Sequence, residues 1–194
     1  MSMNEARQSV IAACRRAWEY GLLSGTNGNV SLRVPGAQRC LITCSGAAKG
    51  HLHAGELVTV RMADGTCSAR TRKASSELGM HLALYRARSD ARAIMHAHPC
   101  SLLALSLRTQ EADFLRLPLF EAQKLRALLA FVPALPPGTR ELALAAADAA
   151  VRPEIHALWL HGHGLVCLGG TLTQALALAE ELEHLARVQL ASRS

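Results

Sequence analysis

The chain has 194 residues, half of them hydrophobic, 19% charged and only 4% aromatic, with a formal net charge of +6. That is enough apolar material for one globular domain over residues 1–194, with a core of Ala, Leu and Val rather than rings. No apolar run reaches membrane-spanning length, and dispersed Lys and Arg with few rings to stack bases argue against nucleic acid.

The start, Met1-Ser2-Met3-Asn4-Glu5-Ala6-Arg7, is polar and unlike a secretion signal. Six cysteines are scattered with no CxxC spacing, the pattern of reduced thiols in a cytoplasmic protein. In chain order, Val10, Ile11, Ala13, Cys14, Ala17 and Trp18 recur at helical spacing, which predicts an amphipathic helix over about 4–20. Alternating apolar residues predict strands at 29–34, 39–44, 57–61 and 66–70, with Ala63-Asp64-Gly65 as a hairpin turn. A helix is expected from Ser75 to about Ser89, a strand at 92–97 and a helix after Cys100. The stretch from Phe120 to Ala130 fits either element type. Pro133, Pro136, Pro137 and Gly138 mark a loop, and Thr139 caps a helix over 140–151. Strands at 156–160 and 165–168 flank His161-Gly162-His163-Gly164, and Thr171 opens the last helix. The sum is an α/β chain with a central, mainly antiparallel sheet and helices on both faces, a three-layer arrangement.

Five stretches carry chemistry. Ile94-Met95-His96-Ala97-His98-Pro99 reads as a strand end, where residues two apart point to one face. His96 and His98 can therefore offer two imidazoles to a metal ion, or simply be surface residues. Gly25-Thr26-Asn27-Gly28-Asn29-Val30-Ser31 is either a tight turn or a nest of N–H groups suited to phosphate. Thr43-Cys44-Ser45-Gly46 offers the same donor types, with Lys49 just beyond. In Ala74-Ser75-Ser76-Glu77-Leu78-Gly79-Met80-His81, Ser75 or Ser76 caps a helix whose positive end favours an anion. There Glu77 is a first-turn carboxylate or a group near a metal, with His81 one turn on. In His161-Gly162-His163-Gly164, the glycines permit a sharp turn that aims His163 inward, with His161 a second ligand or, better, a support behind a ligand or a surface residue. His51 and His53 lie in a loop and read as solvated.

Taken together, Gly28-Asn29-Val30-Ser31, Thr43-Cys44-Ser45-Gly46, Ser75-Ser76-Glu77, His96-Ala97-His98, Pro136-Pro137-Gly138 and His163-Gly164 resemble the class II aldolase/adducin family, particularly its L-fuculose-1-phosphate aldolase-like members. The resemblance runs from about residue 5 to residue 188. It implies a zinc site (another divalent metal being possible) made by His96, His98 and His163. Glu77 would be the fourth ligand at rest and the catalytic proton-transfer residue when substrate binds. It also implies a phosphate site at Gly28, Asn29, Ser45, Gly46, Ser75 and Ser76, and a homotetramer with active sites at subunit boundaries.

The activity this implies is an aldolase-type lyase on a small phosphorylated ketose, working through an enediolate that the metal stabilises. The alternatives are an epimerase, dehydratase or decarboxylase of the same family on a sugar phosphate, or a non-catalytic adducin-like binding module. Fuculose-phosphate aldolases resemble one another in a tyrosine acid from a neighbouring subunit and another in a longer C-terminal tail. This chain has only Tyr20 and Tyr85, neither in the corresponding region. Leu119-Phe120-Glu121-Ala122-Gln123-Lys124 stands where the tyrosine is expected; Glu121 or Lys124 could serve in its place, or, better, be solvated helix residues. Cys44, where proline is usual, and Ala74 also depart from the pattern.

Overall fold

Seven strands line up in one sheet: β1 (Asn29–Arg33), β2 (Arg39–Thr43), β3 (Leu57–Arg61), β4 (Ala93–Ala97), β5 (Leu129–Val132), β6 (Ala157–Leu160) and β7 (Gly164–Gly169). The computed structural model describes residues 1–68 and 72–192. The strands follow the order β3-β2-β1-β4-β7-β6-β5. Each pairing is antiparallel except the parallel β5–β6. Most strand residues are buried whichever way they point, because helices cover both faces of the sheet.

The helices are α1 (Met3–Glu19), α2 (Leu78–Ala87), α3 (Cys100–Ser106), α4 (Phe120–Ala127), α5 (Arg140–Ala149) and α6 (Leu172–Ser192). α1, α3 and α6 pack together, α1 against β1 and α6 against β4 and β7; α2 packs on α5, which lies on β5 and β6. α1 buries Ala6, Val10, Ala13, Cys14 and Ala17, one stripe at helical spacing. Its start is a capping box, in which the Ser2 side chain accepts from the Glu5 N–H and the Glu5 side chain accepts from the Ser2 N–H. The Thr139 hydroxyl accepts from the Leu142 N–H and starts α5.

Three expectations change. The strand at 66–70 reduces, within the described residues, to one bridge between Cys67 and Val60, and residues 69 and 70 lie outside them. The helix expected from Ser75 begins at Leu78 with Glu77 at its cap, because Ala74 first bridges Cys44 and the Ser75 N–H donates to Thr43. The ambiguous stretch holds both element types, α4 and then β5, since the short apolar run Leu129–Val132 finds a strand partner in β6. Beyond Pro99, the carboxylate of Glu183 on α6 takes the N–H groups of Ser101 and Leu102, each at 2.9 Å. That buried cap from a distant helix fixes the chain just after His98.

Candidate functional site

Four side chains from three parts of the chain meet where β1, β4 and β7 lie side by side. His96 is at the end of β4 and His98 one residue past it, anchored by its N–H to the Leu22 carbonyl. His163 ends the three-residue turn between β6 and β7, its N–H held by the Leu160 carbonyl, with Gly162 at φ +67°. Glu77 caps α2, its N–H donating to the Ser75 hydroxyl at 3.2 Å. β4 pairs with both β1 and β7, so His96 lies opposite Asn29 on one side and Val166 on the other.

The packing of this corner leaves no room for side chains at two glycines. A Cβ on Gly28 would sit 2.5 Å from the His96 carbonyl oxygen, and φ is +71° there. A Cβ on Gly164 would meet the Ala97 carbonyl at 2.5 Å and the His98 ring at 2.8 Å. Both are demands of close backbone approach.

His96 Nε2 lies 3.0 Å from His98 Nε2 and 3.2 Å from His163 Nε2. Glu77 Oε2 is 3.1 Å from His96 Nε2, and Oε1 is 3.6 Å from His163 Nε2. His96 Nδ1 donates to the Leu165 carbonyl at 3.0 Å, so a neutral His96 presents a bare lone pair at Nε2. Lone pairs cannot hydrogen-bond one another. They can share a cation: ligands roughly 2.0–2.1 Å from zinc stand about 3.3 Å apart at tetrahedral corners. The three imidazoles form a cluster in which one ligand atom from each lies within 4.8 Å of the others. Glu77 Oε1 is buried with no hydrogen-bond partner among the described residues, an acceptor aimed into the same space. The three imidazoles fit a divalent cation, and Glu77 stands where it would complete the set.

Burial, then the neighbouring His96 and His163, pushes His98 down to about 4, and burial followed by His96 lowers His163. Neutral imidazoles are the form a metal requires. For Glu77 burial acts upward, but the contact with His96 and the Asn29 amide outweigh it and hold the carboxyl at about 2.

Three segments bring the expected phosphate residues together. The Ser45 N–H donates to the Lys73 carbonyl and the Ser75 N–H to Thr43, so Ser45-Gly46 lies beside Ser75-Ser76. Lys49 ties the Gly25–Gly28 loop to them. Its N–H donates to Gly25, and its buried ammonium donates to Thr26 and Ala47 at 3.0 and 2.7 Å. Ser45, Gly46 and Ser76 face solvent, whereas Asn29 is buried and its amide spans Glu77 and His81.

His161 is outside the cluster, pairing with Glu111 and stacking on Phe131. His51 and His53 are exposed, with His51 beside Trp18. Glu121 is exposed in the first turn of α4 and, with Lys124, lines a groove against Tyr20, Leu22 and α6. No hydrogen bond or ion pair joins either to the histidines among the described residues.

A sequence profile of the Class II Aldolase and Adducin N-terminal domain matches residues 8–190. The methylthioribulose-1-phosphate dehydratase of Yersinia pestis (strain Pestoides F) is 36% identical over 203 residues, covering 98% of this chain and 90% of that protein. A probable bifunctional methylthioribose-1-phosphate isomerase/methylthioribulose-1-phosphate dehydratase of Nocardia farcinica is 34% identical over 193 residues, 93% of this chain. The chain spans only 34% of the length of that larger protein. Among solved structures, YgbL of Klebsiella pneumoniae, a putative aldolase/epimerase/decarboxylase, superposes with a TM-score of 0.86 at 30% identity, over 98% of this chain and 91% of that one. The L-fuculose-1-phosphate aldolase of Thermus thermophilus does so at 0.80 and 31%, over 99% and 96%. The family resemblance of the motifs and the seven-stranded architecture thus agree, and this chain belongs to the class II aldolase and adducin N-terminal domain family.

Proposed function

We propose that this chain is a metal-dependent dehydratase of a small phosphorylated ketose, with methylthioribulose 1-phosphate as the substrate to test first. The observation that carries this is the 36% identity, along nearly the whole of both chains, to a methylthioribulose-1-phosphate dehydratase. It favours the dehydratase alternative over the carbon–carbon lyase expected first. The lack of a tyrosine between Leu119 and Lys124 points the same way.

His96, His98 and His163 would hold the cation, which supplies Lewis acidity toward a ketose carbonyl oxygen. Glu77 is the proton-transfer residue. With the cation held, its charge and the Asn29 amide would keep Glu77 ionised. Where substrate oxygens share the cation's charge, burial would raise the proton affinity of Glu77 against the Asn29 amide, toward the range of a general base. Glu77 removes the proton from the carbon next to the carbonyl, giving an enediolate. The hydroxyl on the following carbon then leaves with a proton, as water. One C–H and one C–O bond break, one C=C bond forms, and the product enol becomes a diketone. The loops at Gly28, Ser45-Gly46 and Ser75-Ser76 grip the phosphate, away from the reacting bond.

The proposal includes a homotetramer in the cytoplasm and zinc as the cation. Two exposed apolar side chains beside α3 and in α4, Leu107 and Phe120, are the kind that an interface buries. A monomer by light scattering at micromolar concentration would remove the tetramer.

The test is incubation of zinc-loaded protein with methylthioribulose 1-phosphate, followed by mass spectrometry. A product lighter by one water supports the dehydratase. Release of dihydroxyacetone phosphate returns the aldolase reading, and no change with any ketose phosphate favours the binding module.

A further inference from the structure

Asn29 donates through Nδ2 to Glu77 Oε2 at 2.8 Å, and its Oδ1 faces His81 Nε2 at 2.5 Å. On the far side of the ring, His81 Nδ1 meets the Ser31 hydroxyl at 2.7 Å, and that hydroxyl meets the Tyr85 hydroxyl at 2.8 Å. All five residues are buried, with Ser31 and His81 at 0% exposure.

The proton positions follow one from another. An ionised Glu77 only accepts, so the amide NH2 of Asn29 must face it and the amide oxygen must face His81. His81 Nε2 must therefore carry the hydrogen, since a lone pair there would confront an oxygen at 2.5 Å. A neutral ring has one N–H, so Nδ1 is the acceptor and takes the Ser31 proton. Ser31 Oγ is then left to accept from Tyr85, whose hydroxyl hydrogen favours Ser31 at 2.8 Å over the Arg92 carbonyl at 3.3 Å. Reversing the His81 tautomer would push the Asn29 oxygen toward the Glu77 carboxylate, two acceptors in a buried site.

We infer that His81 is a positioning residue. Backed by Ser31 and Tyr85, it locks the Asn29 amide in the one orientation that holds Glu77 Oε2 in place and leaves Oε1 toward His163. The inference rests on the proposed role of Glu77, and it assigns a task to the buried imidazole that lies one helical turn beyond that carboxylate. It also separates Asn29 from the other phosphate-loop residues: its oxygen is committed to His81, so its contribution to an anion is limited to a remaining N–H.

The test uses the 194-residue chain, its His81→Leu, His81→Gln and Asn29→Ala variants, and three readouts. Gln places an amide N–H near the position of Nε2; Leu does not. In competition titrations with a chelator, zinc affinity is expected to fall roughly 10–100-fold in His81→Leu, the range for lost outer hydrogen bonds at a metal site. His81→Gln should recover most of it. The Asn29→Ala/His81→Leu double variant should bind zinc no worse than Asn29→Ala alone, because His81 acts through Asn29. The visible spectrum of the Co2+-substituted protein should shift in His81→Leu and not in His81→Gln.

Additive losses in the double variant, or an unchanged affinity and spectrum in His81→Leu, would overturn the inference. If His81→Leu fails to fold, 15N NMR of the histidine-labelled wild-type protein decides: the Nε2–H tautomer supports the inference and Nδ1–H refutes it. None of these readouts needs turnover. A wild-type protein that binds metal but dehydrates nothing would therefore sink the dehydratase while leaving His81 its role.

Discussion

His96 and Glu77 face each other across 3.1 Å, Nε2 to Oε2, while the other nitrogen of the His96 ring is committed to the Leu165 carbonyl. Only a shared positive charge, a proton or a metal ion, reconciles that nitrogen with a carboxylate, and two further imidazoles converge on the same point. Replacing His96, His98 or His163 singly by Ala is predicted to remove bound metal. Turnover should drop roughly a thousandfold, as loss of several kcal/mol of Lewis-acid stabilisation implies. Metal analysis alongside kcat checks this, and a variant that keeps both contradicts it.

Glu77→Gln keeps the shape of the side chain and loses the base. Turnover is expected to fall about 10²–10⁴-fold, the range for a positioned acid–base group. Retained folding by circular dichroism and retained metal would locate the loss in proton transfer. Near-wild-type turnover would transfer the role to another residue.

Gly28→Ala tests the close approach of β1 and β4. The left-handed backbone alone costs about 1–2 kcal/mol for an L side chain, and the new methyl would also press on the His96 carbonyl. Denaturant unfolding should show at least that loss, together with weaker metal retention as the end of β4 is displaced. An unchanged midpoint would mean that the loop yields freely.

Lys49→Met strands the buried Ala47 carbonyl, at about 1–3 kcal/mol for a buried group left unpaired, and frees the carbonyl of exposed Thr26. Because those carbonyls belong to the loops assigned to phosphate, KM for a phosphorylated substrate should rise more than kcat falls. A proportionate loss in kcat with KM fixed would place Lys49 elsewhere in the reaction.

The pH dependence of the metal-free protein follows from His81 and His98. Burial, and for His81 then the charge of His96, pushes His81 down to about 3; His98 sits at about 4. Both are below the ordinary histidine value of about 6.5, so between those values and 6.5 the unfolded chain binds protons that the native state refuses, and stability rises with pH across that window. Melting temperature should therefore decline as pH falls from about 6.5 toward 4, and His81→Gln should decline less steeply over the same range. A flat profile would mean that the buried ring is charged.

Much of the fold was legible because its signals are local. The Thr139 cap, the apolar runs of β1 to β3 and the glycine-flanked turn at His163 each need only a few neighbouring residues. β5 was not, since a four-residue apolar run becomes a strand only by pairing with β6, far along the chain, in the register Leu129 to Ala157. The Glu183 cap of α3 was equally hidden, being an acidic side chain of a distant helix.

At the site, the histidines and Glu77 stood out as residue types, but the Ser31–His81–Asn29 chain did not. Its trace was there: Asn29 and Ser31 share a strand face, and Glu77, His81 and Tyr85 recur every four residues along one helix edge. What the sequence could not supply was that the two edges face each other.

The most direct measurement is the metal content of the purified, metal-replete protein, set beside that of His163→Ala. Close to one divalent ion per chain in the wild type, and its loss in the variant, is the result predicted for a centre built by His96, His98, His163 and Glu77. Less than about 0.2 ions per chain, with no recovery on adding zinc, would contradict it.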